Sequence, residues 1–259
     1  MNRADLLERV IDTACAAGGA ILEVYGTDFE IRSKADASPV TEADEKSEAI
    51  IRSRLERLSP GVPIVSEEAA STGRVPKVAG HFWLVDPMDG TKEFISRNGE
   101  FTVNIALIER CRPVLGVVFA PALHCLYAGA EGVGAFVERD GVRSPIRCRE
   151  CPEAGLTVVA SRSHSDAAAL GAFLANRKVA LLSNAGSSLK LCMVACGEAD
   201  LYPRLGRTME WDIAAGHAVV NAAGGRVTSL EDTDIEYGKP DFENPHFVVS
   251  GAGAGTPSK

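Results

Sequence analysis

The sequence lacks the features that mark several broad classes of protein. It has no run of about 18 apolar residues, so we expect no membrane-spanning helix. Its first ten residues carry Asp5 and Glu8, which is not the basic-then-apolar order of a signal peptide. Lysine and arginine (27) are outnumbered by aspartate and glutamate (35), and the net charge of -8 argues against a general nucleic-acid coat, which needs a basic face. These absences predict a cytoplasmic protein with a small-molecule partner and no nucleic acid.

The cysteines also lack the spacing of a disulfide framework. There are seven of them, an odd number that suits reduced thiols. Cys148 and Cys151 form a lone C-x-x-C, but a zinc site would need two further ligands and none is near in the sequence. A zinc or redox site is therefore the minor alternative. Cys192 and Cys196 have helical spacing, which predicts burial in a core.

Length and periodicity predict one layered α/β unit. The 259 residues are 46% hydrophobic, enough for a large core. We expect two closely packed halves, 1–150 and 151–259, joined by the polar stretch 143–154. Helical patterns cover 4–25, 41–58, 166–176, 187–196 and 213–223. Strand patterns cover 29–31, 63–66, 82–85, 102–109, 114–120, 125–130, 134–138, 156–161, 179–183, 199–202, 226–228 and 246–250. Helices that alternate with strands predict sheets covered by helices.

Acidic residues follow the predicted strands at two places and open a helix at a third. In the sequence WLVDPMDGT at 83–91, an apolar strand ends at Asp86, and the turn after it carries Asp89 and Thr91. The apolar strand at 63–66 is followed by Glu67, and Asp212 lies at the start of a predicted helix. Loops at strand ends are where open sheets usually carry their chemistry.

Carboxylates brought together repel one another, at a cost of roughly 4 kcal/mol for a pair at about 4 Å. Divalent cations would relieve this repulsion, and a ligand set made only of oxygen suits magnesium, manganese or calcium rather than zinc. Each residue also has an ordinary structural interpretation. Asp86 could cap a turn, Asp89 and Gly90 could form a common turn, and Asp212 could cap its helix.

With these motifs the chain resembles the inositol monophosphatase superfamily of magnesium-dependent, lithium-sensitive phosphatases. The resemblance spans about residues 5–250 and implies the αβαβα sandwich of that superfamily, an α/β (α+β) fold. It implies that the first half carries most metal ligands and that the second half completes the substrate pocket. The motifs are SEE at 66–68, WLVDPMDGT at 83–91 and WDIAAGH at 211–217.

Within the superfamily, the sequence resembles the 3′(2′),5′-bisphosphate nucleotidases most. Lys92 and Glu93 stand where inositol monophosphatases usually have Thr-Asn, and Arg204 stands where they carry an acidic residue. An arginine binds phosphate through paired hydrogen bonds, which favours a second phosphate over a neutral polyol. The implied reaction is hydrolysis of 3′-phosphoadenosine 5′-phosphate to AMP and phosphate, with 3′-phosphoadenylyl sulfate as a further substrate, in sulfate assimilation. An inositol or sugar phosphatase is the alternative, and an inactive metal-binding regulator is a third.

The resemblance also implies roles for single residues. It implies that Asp44 and Thr91 activate the attacking water and that Lys34 organises the metal-binding loop. The implied metal ligands are Glu67, Asp86, the Met88 carbonyl, Asp89 and Asp212. The implied substrate contacts are Glu67, Met88, Asp89, Gly90, Thr91, Asp212, Ser161, Lys190 and Arg204. His164 is a further candidate for the nucleotide, without a catalytic role, and His217 is expected in the core.

The implied cofactor is Mg²⁺, two or three ions for each site, with Mn²⁺ as a substitute and Li⁺ and Ca²⁺ as inhibitors. The protein is expected to be a monomer or a homodimer. The resemblance leaves peripheral attachment to the inner face of the cell membrane open. The sequence contains no basic amphipathic helix that would support such attachment.

Overall fold

Helices and sheets stack in five alternating layers in the computed structural model, which describes residues 1–33, 39–162 and 166–251. The helices of this part are α1 (Arg3–Tyr25), α2 (Glu42–Leu58), α3 (Glu67–Ser71), α4 (Thr91–Ile95), α5 (Ala167–Leu174), α6 (Leu189–Ala195) and α7 (Glu210–Ala222). The strands are β1 (Arg32–Ser33), β2 (Pro39–Val40), β3 (Ile64–Ser66), β4 (His81–Asp89), β5 (Thr102–Glu109), β6 (Arg112–Ala120), β7 (Cys125–Ala130), β8 (Gly134–Arg139), β9 (Val142–Pro145), β10 (Leu156–Ser161), β11 (Val179–Ala185), β12 (Leu201–Arg204), β13 (Arg226–Ser229) and β14 (Phe247–Ser250).

Helices α1 and α2 form the first layer, and each begins at a side-chain cap. The Asn2 side chain accepts a hydrogen bond from the Asp5 amide at 2.8 Å. Thr41 and Asp44 form the capping box that opens α2, at the start of the helical pattern predicted over 41–58. Such caps satisfy amides that have no partner within the helix, which fixes where each helix starts.

The second layer is a seven-stranded sheet in the order β3-β4-β5-β6-β7-β8-β9, antiparallel except for the pair β3–β4. Its side chains alternate between two faces. Trp83 and Val85 belong to the cluster beneath α1 and α2, whereas Phe82 and Leu84 belong to the cluster on the opposite face. The sheet is therefore apolar on both faces and is covered by helices on each.

Helix α7 packs on that opposite face, against β4, β5, β6 and β7. It approaches the sheet closely over Gly116, where an added Cβ would lie 2.2 Å from the Ala215 carbonyl oxygen. At Gly129 an added Cβ would lie 2.9 Å from the Cα of Val219. Two glycines in neighbouring strands thus make the groove that seats α7.

The fourth and fifth layers are a five-stranded sheet, in the order β11-β10-β12-β14-β13, and helix α5. Helices α6 and α7 separate the two sheets. Phe173 and Leu174 of α5 pack on the outer face of the second sheet, against Leu156 and Val158. The predicted αβαβα sandwich is confirmed. No helix in the described ranges is long and apolar enough to cross a membrane.

Several predicted elements are shifted by a few residues at their ends, and two predictions are wrong beyond such shifts. The strand predicted at 29–31 lies instead at Arg32–Ser33, where it pairs with Pro39–Val40. The stretch 143–154 is not entirely a connection, because β9 (Val142–Pro145) forms a hairpin with β8 through a turn at Asp140 and Gly141. The connection between the two sheets is accordingly shorter and begins after Pro145. All seven cysteines are free thiols.

Candidate active site

The ends of β3 and β4 and the start of α7 meet beside one cavity. Strand β4 carries Asp86 and Asp89, and its pairing with β5 shifts between these two residues. Gly90 follows with a φ of 90°, in the left-handed region that favours glycine. Helix α4 then begins at Thr91. The irregular end of the strand and the left-handed turn bring several polar groups of one short segment to the site.

The acidic side chains here are close enough to shift one another's pKa. The pKa of Asp86 lies well above its usual range because of burial, and the charges of Glu67, Asp89 and Asp212 raise it further. Burial raises the pKa of Asp212 to about 8, with Asp89 and Glu67 adding to the shift. Burial likewise raises the pKa of Asp89 to about 6, against a lowering by Lys190. Four acids from distant parts of the sequence therefore form one electrostatic cluster.

Two of these acids also have the structural roles that the sequence left open. The Oδ1 atom of Asp86 accepts a hydrogen bond from the Met88 amide at 3.1 Å. The Oδ2 atom of Asp212 accepts one from the Met209 amide at 2.9 Å, at the start of α7. Turn-forming and helix-capping contacts thus hold these carboxylates in place.

The donor set of the cluster consists of carboxylate oxygens, with the Met88 carbonyl in the same segment, which is the chemistry that suits a hard divalent cation. Within the described ranges, however, no three His, Cys, Asp or Glu side chains are arranged to enclose a metal ion as they stand. The raised pKa values of Asp86 and Asp212 reflect the cost of holding several acidic groups together in a buried place. The cluster fits a cation by its chemistry and charge, and its side chains are not closed into a coordination shell.

Asp44 and Thr91 lie next to each other beside the cluster. The Thr91 hydroxyl donates to Asp44 Oδ1 over 3.4 Å. The other Asp44 oxygen, Oδ2, accepts from the Thr41 amide at 2.7 Å and from the Thr41 hydroxyl at 2.9 Å. Asp44 is only 2% exposed, so these bonds hold its carboxylate in one orientation, facing Thr91.

A cavity of about 940 Å³ opens over the cluster. Its walls include most of the predicted site residues, namely Glu67, Asp89, Gly90, Thr91, Ser161, Lys190, Arg204 and Asp212. Asp44, Asp86 and Met88 are not part of the wall and lie buried. Lys92 and Glu93 also line the cavity.

The two predicted cations lie in the wall of the cavity and differ in how they are held. Lys190 Nζ donates to the carbonyls of Ala185 and Ser187, and burial lowers its pKa to about 8. Arg204 donates through Nη2 to the Arg207 carbonyl at 2.7 Å. Its Nε is buried and has no hydrogen-bond partner among the residues that the structure describes. Arg204 therefore carries a buried donor at the pocket.

Some features of this site were missed in the sequence, and others lie outside the described residues. Glu100 accepts from Arg162 at 2.8 Å and from the Gly186 amide at 2.7 Å, which ties two loops of the cavity together. No local sequence pattern indicates contacts between residues so far apart in the chain. His217 is buried and bonded to the Tyr237 hydroxyl at 2.8 Å, as expected of a core residue. The candidates Lys34 and His164 both lie outside the described residues.

Comparisons with known proteins agree with this architecture. The model of the inositol monophosphatase family matches residues 2–256. The 3′(2′),5′-bisphosphate nucleotidase CysQ of Escherichia coli K12 is 48% identical over 248 residues, which cover 95% of this chain and 99% of that protein. The CysQ of Buchnera aphidicola is 39% identical over 95% of this chain and 93% of its own length.

Solved structures give the same result. A crystal structure of CysQ from Bacteroides thetaiotaomicron, described as a bacterial member of the inositol monophosphatase family, superposes with a TM-score of 0.79 at 38% identity, over 95% of this chain and 96% of that one. An IMPase of Thermotoga maritima superposes with a TM-score of 0.79 at 26% identity, over 96% and 93% of the two chains. The chain belongs to the inositol monophosphatase family.

Proposed function

We propose that this chain is a magnesium-dependent 3′(2′),5′-bisphosphate nucleotidase that hydrolyses 3′-phosphoadenosine 5′-phosphate to AMP and phosphate. We include 3′-phosphoadenylyl sulfate as a further substrate and a role in sulfate assimilation. The observation that carries the proposal is the combination of an acidic cluster with two buried cations, Lys190 and Arg204, in one cavity. The full-length likeness to proteins named as this nucleotidase, 46–48% identical, supports it.

Glu67, Asp86, Asp89, Asp212 and the Met88 carbonyl would hold two or three Mg²⁺ ions, with Mn²⁺ able to replace them and Li⁺ and Ca²⁺ acting as inhibitors. A bound cation would lower the raised pKa values of Asp86, Asp89 and Asp212, because a nearby positive charge favours the ionised form of a carboxylate. Bound magnesium supplies charge stabilisation for the phosphate and lowers the pKa of a bound water.

The chain's own residues supply a path for the proton. A water beside Thr91 transfers its proton to the Thr91 hydroxyl oxygen, and the Thr91 proton passes to Asp44 Oδ1, the atom it already faces at 3.4 Å. The fixed orientation of Asp44 suits it to act as the base. The amides of Gly90 and Thr91 would bind phosphate oxygens as negative charge develops there.

The part of the cavity wall that carries Arg204 and Lys190 supports the proposed choice of substrate. Arg204 has a buried Nε without a partner in the described chain, and an anionic ligand would satisfy that donor. Lys190 adds a second positive charge, and Ser161 a hydroxyl, to the same wall. A second phosphate therefore has matching groups in this cavity, whereas a neutral polyol offers no charge to pair with the two cations.

The test is a panel of substrates with magnesium: 3′-phosphoadenosine 5′-phosphate, inositol 1-phosphate and fructose 1,6-bisphosphate. We expect the nucleotide to give the highest kcat/KM and lithium to inhibit. A clear preference for inositol 1-phosphate would contradict the proposed substrate, and it would identify an inositol phosphatase of the same fold.

A substitution in the cluster tests the proposed metal ligands. Asp89→Asn removes one charge while it keeps the shape of the side chain, and we expect phosphate release to fall at least about 100-fold, the usual cost of losing one transition-state contact. Asp12→Asn is the matched control, because Asp12 is an exposed aspartate of α1. Activity of Asp89→Asn equal to that of the control would exclude Asp89 as a ligand.

A further inference from the structure

Helix α2 presents three buried polar side chains to two segments of the site, the one that ends β4 and the one that follows β3. Asp44, Ser47 and Glu48 stand three and four positions apart, so they lie on one face of the helix. Their exposed fractions are 2%, 0% and 9%. Asp44 faces Thr91, as described above, and the other two side chains contact the segments that carry Asp86, Met88 and Glu67.

Ser47 holds the turn at the end of β4. Its hydroxyl donates to the Pro87 carbonyl over 2.7 Å, in a buried bond between residues 40 positions apart. Pro87 lies between Asp86 and Met88, where the pairing of β4 with β5 is irregular. The bond fixes the plane of the peptide that joins Pro87 to Met88, and with it the positions of the Met88 amide and Cα, from which the Met88 carbonyl follows.

Glu48 holds the residue that precedes Glu67. Ser66 Oγ donates to Glu48 Oε1, and Ser66 is fully buried. Ser66 occupies the position before α3, where a serine usually caps the helix with its hydroxyl, yet it makes no such cap. Its hydroxyl is committed to Glu48 instead, so α2 and not α3 determines the orientation of this residue.

We propose that Ser47 and Glu48 are positioning residues for the metal site. Ser47 anchors the peptide between Pro87 and Met88, and Glu48 anchors Ser66 next to Glu67, each relative to Asp44 on the same helix. A single rigid helix thereby sets the spacing between the proposed base and two of the proposed ligand segments. The inference rests on the proposed function, because it assigns these contacts to the assembly of a magnesium site.

The test is direct titration of Mg²⁺ into the metal-free protein by calorimetry, without substrate. We expect Glu48→Ala, Ser66→Ala and Ser47→Ala each to raise the Kd for Mg²⁺ by about 10–100-fold, as removal of groups that orient metal ligands usually does. Glu48→Gln keeps an oxygen that can accept from Ser66, so its Kd should stay within about threefold of the original protein. Ser53→Ala is the control, because Ser53 is an exposed serine of α2 that bonds only Arg57 in the described contacts.

A double variant separates a positioning role from a general loss of packing. If Glu48 acts through Ser66, the variant with both Glu48→Ala and Ser66→Ala should bind Mg²⁺ as weakly as the weaker single variant, not more weakly. Ser66→Ala removes only one oxygen, so it reports on the contact even if Glu48→Ala does not fold. A lowered Tm with unchanged Mg²⁺ affinity in Ser66→Ala would overturn the inference.

Two further titrations distinguish this failure from failure of the proposed function. The unsubstituted protein should bind Mg²⁺, and Asp89→Asn should lose most of that affinity. If either result is absent, the proposed metal site itself is wrong. If both hold while Ser47→Ala and Ser66→Ala bind as the original protein does, only the positioning role is excluded.

Discussion

The carboxyl group of Asp212 combines a structural contact with an electrostatic one. One oxygen caps α7, and the group as a whole lies in the field of Asp89 and Glu67. The sequence presented capping and metal binding as alternatives, and the structure shows that the capping carboxylate also belongs to the acidic cluster. A capped carboxylate is held rigidly, which lowers the entropy that a ligand must lose when it binds a metal.

The raised pKa of Asp212 predicts a pH dependence of stability. Its native pKa of about 8 lies above the usual 3.8, so between these values the native protein holds a proton that the unfolded chain has released. Stability should therefore fall as pH rises from 6.5 to 8, by up to about 1.4 kcal/mol per pH unit for each such proton. Two groups oppose this slope at its ends. Near pH 6.5 the unfolded chain still protonates His217, whose native pKa is lowered to about 3, and near pH 8 the native Lys190, with a pKa lowered to about 8, loses a proton that the unfolded chain keeps. The fall should therefore be clearest at about pH 7 to 7.5.

Urea unfolding in the presence of EDTA measures this slope. Asp212→Asn should flatten it, and so should saturating Mg²⁺, because either change removes the need for the proton. A stability that increases with pH between 6.5 and 8 in EDTA would show that Asp212 is ionised in the metal-free protein.

Some residues of the site could be predicted from the sequence, and others could not. The four acids were found because each follows an apolar strand or opens a helix, which is a local pattern. Ser47 and Glu48 were missed because nothing local tells which polar side chains of a helix are buried. Their partners, Pro87 and Ser66, lie 40 and 18 positions away. Lys190 was found as a candidate, but its bonds to backbone carbonyls were not foreseen.

At the scale of elements, two adjacent glycines of α1 also show that contacts with distant segments cannot be predicted from the local sequence. Gly18 and Gly19 both interrupt the helical pattern of α1, and the helix runs through them. An added Cβ at Gly18 would lie 2.4 Å from the Phe119 ring, whereas at Gly19 nothing lies within 4 Å. The sequence could not separate the two residues, because the difference arises from a strand 100 positions away. The short helices α3 and α4, which begin at Glu67 and Thr91, were missed as well.

Gly116→Ala tests the close packing of α7 on the first sheet. The new methyl group would overlap the Ala215 carbonyl oxygen, a backbone atom that can move only with the helix. We expect a loss of about 1–3 kcal/mol in the free energy of unfolding, together with lower activity, because the same helix carries Asp212. Chemical denaturation and phosphate release measure the two effects.

Gly19→Ala provides the control for a methyl group added at an open helical position. It should stabilise the protein by up to about 1 kcal/mol, since alanine is the better helix former. If Gly116→Ala were as stable as Gly19→Ala, α7 would not be seated by the groove that we describe.

On the scale of the whole molecule, one apolar core joins the two sheets. The cluster around α7 includes Phe82 and Leu84 of the first sheet and Val159 and Val249 of the second. The division at residue 150 that the sequence predicted therefore marks a change of sheet within a shared core. The order of the strands and the close approach of α7 depend on contacts between distant segments, which composition and periodicity do not contain.

A shared core predicts a single cooperative unfolding transition. The two tryptophans report on different parts of the molecule, because Trp83 lies in the cluster beneath α1 and α2 and Trp211 lies in the cluster around α7. Variants with Trp83→Phe or Trp211→Phe each keep one fluorescent probe. In each variant, the fluorescence and circular dichroism transitions should coincide in urea. Separate midpoints would show that the two sheets unfold independently.

Strand β14 lies between β12 and β13, although both precede it in the chain. During translation, the two outer neighbours emerge from the ribosome while the position between them is still vacant. The second sheet, and with it the wall that holds Arg204, cannot assemble until residue 250 has emerged. A ribosome that stalls before Phe247 would therefore release a polypeptide with exposed apolar strand edges. Chaperones and proteases would bind such a polypeptide, and it would not be a weakly active enzyme.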